Sequence, residues 1–204
     1  MSCRYLLTLL CLFCACSNIL YRAGGDYFPL NPGCWWKYLS DTDTVYVSVQ
    51  DEDTVVKGRF CRVVFRNFYP EYWIKGPEAI EKFHVRVTGR PNTEDTLEAR
   101  FGTVLALPLV DGSSWNDVFR DTIVIRGTDT IPYEHSLSGR VSMVDSISTP
   151  AGTFYDCYRV DFTERIIEQT AESTASVLWF APGVGIVRRQ TADDDEVLVE
   201  WGTE

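Results

Sequence analysis

The chain of 204 residues is 45% hydrophobic and 13% aromatic, which excludes a disordered protein and predicts one globular domain with a substantial core. Its net charge of −10 disfavours nucleic acid as a partner, because a phosphate-binding surface needs clustered lysine and arginine side chains. Composition and charge therefore limit the class of protein, but they do not indicate a chemical reaction.

The N-terminus has the pattern of an export signal. Arg4 supplies a positive charge, and Tyr5 to Ala15 form an apolar run that ends in small residues. A bilayer core needs roughly 20 apolar residues, so this run is too short to span it, and we expect no transmembrane helix in the mature chain. We expect residues 1–15 to be removed as a signal peptide, residues 16–26 to form a lipidated tether, and residues 27–204 to fold as one β domain.

The end of this run, Phe13-Cys14-Ala15-Cys16, resembles the lipobox of bacterial lipoproteins. The resemblance implies attachment of lipid to the Cys16 thiol, cleavage before Cys16 and acylation of the new amino group. Two or three acyl chains would anchor the protein stably in the membrane of the cell envelope. In a host with two membranes, Ser17 favours the periplasmic face of the outer membrane. The alternative is a secreted protein that is cleaved elsewhere.

Three cysteines belong to the predicted domain: Cys34, Cys61 and Cys157. An odd number in an oxidising compartment allows one disulfide and one free thiol. Cys61 and Cys157 are the candidate pair, because each lies in a strand-like run. Buried free thiols are the alternative, since cysteine packs as a small apolar residue.

From Trp35 onward apolar and polar residues alternate with a period of two, which predicts strands. We predict about eleven strands: 45–49, 59–66, 71–75, 83–87, 97–107, 118–126, 138–147, 157–167, 174–180, 185–190 and 196–201. The segment Pro77 to Phe83 predicts at most a single helical turn. Short connections make neighbouring strands antiparallel, and so many strands in one chain need a curled sheet or an incomplete barrel. The predicted fold class is all-β.

The spacing Pro-Leu-x-x-Gly-x-x-Trp occurs twice, at residues 29–36 and 108–115. In each copy glycine permits a reversal of the chain, and tryptophan starts the next strand with an indole N–H that needs a carbonyl partner. Ser113 and Ser114 lack the Gly-x-Ser-x-Gly pattern of a nucleophile elbow. We interpret both copies as turns that lead into strands, and not as catalytic motifs.

Four segments resemble successive signatures of a family of uncharacterised bacterial lipoproteins, the TapB-like proteins. They are FPLNPGCWWKY at 28–38, LPLVDGSSW at 107–115, PAGTFYDCYRV at 150–160 and WFAPGVGIVRR at 179–189. That family is similar in fold to lipoprotein carriers of the LolA and LolB type, whose incomplete antiparallel barrel surrounds an apolar cavity. The resemblance implies this fold and an envelope location, and it carries over no catalytic residue.

No group of residues has the spacing of a catalytic, cofactor or metal site, so we expect none of these. His84 alternates with Phe83 and Val85, which predicts that it faces solvent or a neighbouring strand. His135, beside Glu134, is predicted to lie in an exposed loop, and residues 193–196 to form a solvated turn. Two carboxylates that meet in a cavity are the catalytic arrangement that stays open.

Two functions from different classes follow from these observations. The first is a non-enzymatic, lipid-anchored envelope protein that binds an apolar or amphipathic ligand, such as an acyl chain, inside the half-barrel. The second is a structural or interaction module with a solid core that recruits an envelope protein. The sequence does not show whether the barrel is hollow, and this property separates the two functions.

Overall fold

The computed structural model describes residues 25–41, 43–87, 96–125, 129–168 and 171–203. These residues form twelve antiparallel strands in a single sheet, and none of them is helical. The strands are β1 (Cys34–Leu39), β2 (Thr44–Val56), β3 (Arg59–Arg66), β4 (Tyr69–Lys75), β5 (Ala79–Val87), β6 (Thr96–Ala106), β7 (Ser114–Ile125), β8 (Asp129–Thr149), β9 (Gly152–Ile167), β10 (Ala171–Ala181), β11 (Gly185–Gln190) and β12 (Asp195–Thr203). The predicted signal peptide, Cys16 and nearly all of the tether lie outside the described residues.

The order of the strands divides the sheet into two equivalent halves. The order is β6-β5-β4-β3-β2-β1-β12-β11-β10-β9-β8-β7, so β1–β6 form one meander, β7–β12 form a second, and the β1–β12 ladder joins them. Adding six to each strand number of the first half gives the strand order of the second half. Each copy of the Pro-Leu-x-x-Gly-x-x-Trp spacing leads into the first strand of one meander, β1 or β7.

The two edge strands, β6 and β7, approach each other and nearly close the barrel. No backbone ladder joins them in the described part of the chain. Side chains make the connection instead: Arg100 Nη1 lies 3.0 Å from Asp117 Oδ1, and the Thr103 backbone N–H donates to Asp117 Oδ2 at 2.6 Å. The predicted curled, all-β, incompletely closed fold is confirmed.

Two groups of buried side chains pack in the interior, and each draws residues from both halves of the sheet. The first group includes Leu30, Cys34, Trp36, Tyr38, Val49, Val64, Cys157, Val187 and Leu198. The second consists of Ile80, Leu105, Leu109, Val141, Val160 and Phe180. Aromatic rings, Phe28 and Trp73 among them, pack against both groups and connect them.

Two details of the strands differ from the expected list. Residues 34–39 form a twelfth strand, β1, which is missing from the list of eleven although the turn before it was interpreted as leading into a strand. The helical turn expected over 77–83 is absent, because Ala79 already begins β5. Ile80 is fully buried there and pairs with Leu105 of β6, so burial in the sheet outweighs the local helix-favouring composition. No helix in the described residues is long and apolar enough to cross a membrane.

Candidate functional site

The interior of the barrel contains an open cavity whose first part is apolar and aromatic. Trp36 donates its indole N–H to the carbonyl oxygen of Val184 at 2.6 Å, and the Tyr38 hydroxyl donates to that of Ile186 at 2.9 Å. These bonds fix both rings and leave their apolar surfaces as cavity wall. This apolar part has a volume of about 80 Å³ and is lined by Phe28, Pro29, Leu30, Trp36, Tyr38, Val47, Val64, Arg66, Glu71, Trp73, Gly185 and Ile186.

The second part of the cavity is charged. It shares Tyr38, Arg66, Glu71, Trp73 and Ile186 with the apolar part, has a volume of about 180 Å³, and continues past Lys82, His84, Val104, Phe162, Glu164, Ser176, Leu178, Arg189 and Glu196. The two parts therefore lie side by side and share part of their wall, one apolar and the other charged.

Most charges in the second part are paired. Lys82 Nζ lies 2.5 Å from Glu71 Oε1, and Arg66 binds Glu196. Among the described residues Arg189 has no side-chain ion pair, although it lines the same space. The guanidinium of Arg189 can therefore bind an anionic ligand by donating hydrogen bonds to it.

Both histidines of the chain meet at the wall of this cavity. The rings of His84 on β5 and His135 on β8 are 5.1 Å apart between centroids and nearly perpendicular. Glu164 on β9 lies beside them, with its Oε1 2.9 Å from His135 Nε2. The Nε2 atom of His84 is buried and has no hydrogen-bond partner among the described residues.

The other ring nitrogen of His135 faces a buried carboxylate, Glu98 on β6. His135 Nδ1 and Glu98 Oε2 are 2.7 Å apart, and the same oxygen accepts the hydroxyl of Tyr133 at 2.7 Å. Arg100 Nε binds Glu98 Oε1 at 2.8 Å. The Glu98 side chain is 1% exposed, so its contacts with these three partners replace the hydrogen bonds that the carboxylate would form with water.

The environment of this cluster shifts the pKa values of its members in opposite directions. Burial lowers the pKa of His135, but its hydrogen bonds to Glu164 and Glu98 outweigh burial and raise the pKa to about 9. Burial and the neighbouring His135 charge lower the pKa of His84 to about 4. Burial opposes ionisation of Glu98, yet the bonds from His135 and Tyr133 hold its pKa below the usual value, and the bond from His135 also lowers the pKa of Glu164. At neutral pH His135 is therefore the cation and His84 is neutral.

The predicted loop position of His135 was wrong, and of the two alternatives for His84 the solvent-facing one was wrong. In β5 the apolar Val85 is 60% exposed while His84 lies on the inner face, because alternation shows the period of a strand and does not show which face is inside. His135 lies inside β8, in phase with buried Tyr133 and Leu137. Tyr133 and Leu137 lie two positions before and after His135, and they were the signal in the sequence that His135 is buried.

Glu196 and the two cysteines of the candidate disulfide also differ from the sequence-based expectation. Glu196 was placed in a solvated turn, but it is buried against Arg66. Cys61 and Cys157 are free, buried thiols on β3 and β9, which are not neighbours in the sheet, so no disulfide joins them. The alternative of buried free thiols describes all three cysteines of the domain.

The two tryptophan turns have the predicted geometry in most respects. Gly33 and Gly112 both adopt a positive φ, 77° and 78°, which glycine adopts without strain. Trp36 finds the expected carbonyl partner, whereas the Trp115 indole N–H is buried without one among the described residues. Ser113 and Ser114 lie at the entry to β7, outside the cavity.

Residues 114–201 match the family model described as DUF3108-like. The match covers less than half of the chain, begins at the first residue of β7 and ends within β12, so it coincides with the second meander. No curated protein matches the chain.

Two solved structures are similar in fold. One is a protein of Bacteroides fragilis described as a "putative exported protein with YmcC-like fold", with a TM-score of 0.50 and 12% identity over 88% of this chain and 100% of that one. The other, from Parabacteroides distasonis, is described as a "putative lipoprotein", with a TM-score of 0.46 and 14% identity over 87% of this chain and 99% of that one. At 12% identity the first similarity establishes a shared fold and nothing about a ligand.

Proposed function

We propose that this protein is anchored by lipid in the bacterial cell envelope, binds a small anionic amphiphile inside its barrel, and catalyses no reaction. The single observation that carries the proposal is an aromatic cavity that shares its wall with a charged one. An amphiphile can place its apolar chain against Trp36 and Trp73 and its anionic head near Arg189. Such a site binds by burial of apolar area, at about 25 cal/mol per Å², and by one charge-assisted contact.

The size of the cavity limits the ligand. Its apolar part of about 80 Å³ is small beside the roughly 300–1,000 Å³ of pockets that enclose a whole drug-sized molecule. A long acyl chain therefore enters by its end only, or the rings of Phe28 and Trp73, whose centroids are 5.1 Å apart, move to admit more of it. This geometry favours short-chain amphiphiles over whole lipids in the conformation described.

The proposed location rests on the N-terminal sequence. The lipobox-like segment ending at Cys16 implies a lipid anchor, and Ser17 implies the outer membrane in a host with two membranes. The resemblance to TapB-like proteins and to carriers of the LolA and LolB type supports a cavity that receives an acyl chain. Mass spectrometry of the membrane fraction tests the anchor: an unmodified N-terminus would exclude it.

Calorimetry with carboxylates of increasing chain length, each compared with the alcohol of equal length, tests ligand binding. We expect affinity to rise with chain length and then to level off, with carboxylates preferred over alcohols. Val47→Phe fills the cavity from β2 and should abolish binding, whereas Val55→Phe on the exposed surface of the same strand should not. Arg189→Gln should remove the preference for the carboxylate. Absence of binding by every member of the series would refute the proposal.

A second function, recruitment of an envelope protein, is favoured by a group of exposed aromatic side chains. Phe68 is 90% exposed in the turn between β3 and β4, and Tyr69 follows it. The Asn67 backbone N–H donates to the Tyr46 carbonyl oxygen, and Asn67 Oδ1 accepts the Tyr46 backbone N–H. These bonds hold the exposed ring of Tyr46 near this turn. Contiguous exposed apolar side chains mark interaction surfaces. A photo-crosslinker at position 68 that captures one envelope protein in cells, while ligand binding is unchanged by Phe68→Ser, would support this second function.

A further inference from the structure

We infer that His84, His135 and Glu164 form a binding site for a divalent transition metal ion of the zinc type. This inference is independent of the amphiphile and reverses the expectation from sequence that the chain has no metal site. The three residues lie on β5, β8 and β9, so no spacing within the sequence could reveal them.

The three side chains converge at the distances a metal ion requires. One ring nitrogen from each histidine and one oxygen of Glu164 all lie within 4.8 Å of one another, and His135 Nε2 is 2.9 Å from Glu164 Oε1. Tetrahedral zinc with bonds of about 2.0 Å separates its ligand atoms by about 3.3 Å. The largest of the present separations exceeds this value, so binding of an ion requires the side chains to draw closer together.

One ring nitrogen of His84 lacks a partner within the described part of the chain in the absence of an ion. The Nε2 atom of His84 is buried and forms no hydrogen bond among the described residues, although a buried polar atom left unsatisfied costs free energy. A metal ion placed between His84, His135 and Glu164 would give this nitrogen a partner. The proton that His135 Nε2 shares with Glu164 leaves when the ion enters, and Glu164 changes from a hydrogen-bond acceptor to a ligand.

The residues behind His135 match the usual surroundings of a metal-bound histidine. Such a histidine donates its second N–H to a carboxylate or a carbonyl, which fixes the orientation of the ring. His135 Nδ1 faces Glu98 at 2.7 Å, and Glu98 is itself held by Tyr133 and Arg100. The ring of His135 is therefore oriented before any ion binds.

The site opens to the charged part of the cavity. His135 is 3% exposed in its side chain, whereas the Glu164 side chain is 37% exposed, and both Glu164 and His84 line the charged part of the cavity. Three protein ligands leave a fourth position, directed at this space, for water or another small ligand. Two imidazole nitrogens and one carboxylate suit zinc and its neighbours, whereas calcium and magnesium prefer sites built of oxygen atoms.

The test is titration of the full-length protein, first stripped with a chelator, with zinc and then with cobalt(II). We expect one ion per chain, a higher melting temperature with zinc, and visible absorption bands of tetrahedral cobalt(II). His84→Ala and Glu164→Gln should remove the bands while the protein stays folded by circular dichroism. Tyr133→Phe, which removes one hydrogen bond to Glu98, should lower affinity by about 10- to 100-fold.

Two control variants separate this site from metal binding elsewhere on the chain and from the amphiphile. Glu71→Gln changes a carboxylate in the same cavity that is not a ligand, so it should bind cobalt as the wild type does. Val47→Phe should lose the amphiphile and keep the metal, which separates failure of this inference from failure of the proposed function. Absence of metal binding, metal binding that survives His84→Ala, or a cobalt spectrum with thiolate charge-transfer bands from the cysteines would overturn the inference.

Discussion

Arg100 on β6 and Asp117 on β7 connect the two edges of the sheet, with Arg100 Nη1 3.0 Å from Asp117 Oδ1 and 3.2 Å from Oδ2. Both side chains are largely buried, which shields the pair from water and salt. Asp117 also accepts the backbone N–H of Thr103 on β6. We call the gap between β6 and β7 the seam. At the seam this ion pair holds the two strands together, as ladder hydrogen bonds do between all other neighbouring strands.

Asp117→Asn should open this seam. The variant keeps an oxygen for Thr103 but loses the charge that holds Arg100, so we expect a loss of about 1.5–3 kcal/mol in the free energy of unfolding. Asp161→Asn is the matched control, because the side chains of Asp161 and its partner Arg159 are nearly half exposed and such pairs contribute about 0–1 kcal/mol. Urea denaturation measures both, and hydrogen exchange should accelerate in β6 and β7 for the first variant alone. Equal losses in the two variants would mean that the seam pair has no special role.

Gly139→Ala should destabilise the protein strongly. A Cβ atom at residue 139 would lie 2.2 Å from the ring of Trp115, the residue opposite in the β7–β8 ladder. Such overpacking costs about 1–3 kcal/mol, because the ring has to leave its position. Gly76→Ala is the control: the nearest atom is the Ala79 carbonyl oxygen at 3.5 Å, so its stability should change by no more than about 0.5 kcal/mol. A melting temperature for Gly139→Ala equal to that of the control would show that Trp115 is not packed there.

The free energy of unfolding should be highest near pH 6.5. The pKa of His135 is raised to about 9, so its contribution is complete below its ordinary value of 6.5 and disappears as pH rises to 9. The pKa of His84 is lowered to about 4, so below pH 6.5 the unfolded chain takes up its proton first and stability falls. The lowered pKa values of Glu98 and Glu164 add to this fall below their usual value of 4.5.

Denaturation curves at a series of pH values, without metal, measure this dependence. His135→Gln should flatten the fall between pH 6.5 and 9, and His84→Gln should reduce the fall between pH 6.5 and 4.5. Arg100 and Lys82 are the other cations near the cluster. An alkaline fall that persists unchanged in His135→Gln would place its origin outside the cluster.

The three cysteines of the domain should react slowly with alkylating reagents in the folded protein. Burial raises the pKa of the Cys157 thiol to about 11 and also raises those of Cys34 and Cys61, so little thiolate forms near neutral pH. Peptide mapping after iodoacetamide treatment should show full labelling of all three only when urea is present. A peptide pair linked through Cys61 and Cys157 would contradict the structure.

The sequence predicts the architecture well, because period-two alternation and turn residues act locally. The limits expected for β3 and β11 agree with the structure, and the single curled sheet follows from the number of strands. What alternation leaves open is which face of a strand is inside. The apolar side chains at 83, 85 and 87 suggested that His84 points outward, yet the buried Ile80, which is in phase with His84, sets the inner face of β5.

The candidate site was harder to predict, since it depends on contacts between distant strands. Glu98, His135 and Glu164 are separated by 37 and 29 residues, and they meet only because β6 and β8 face each other across the seam and β9 pairs with β8. Each residue alone resembles an ordinary solvated position of a strand. Tertiary packing creates the cluster, and the positions of the strands along the chain do not determine which side chains meet.

The two six-stranded halves also determine how the chain can assemble. Within each half every strand pairs with its neighbour in sequence, so hairpins can form early and at low entropic cost. Only the β1–β12 ladder, which pairs Cys34 with Thr203, joins residues from the two ends of the domain. Pairings so distant in sequence slow folding. We therefore expect two preformed meanders to dock through β1 and β12 in the slowest step, and a truncation that removes β12 should leave them unable to associate.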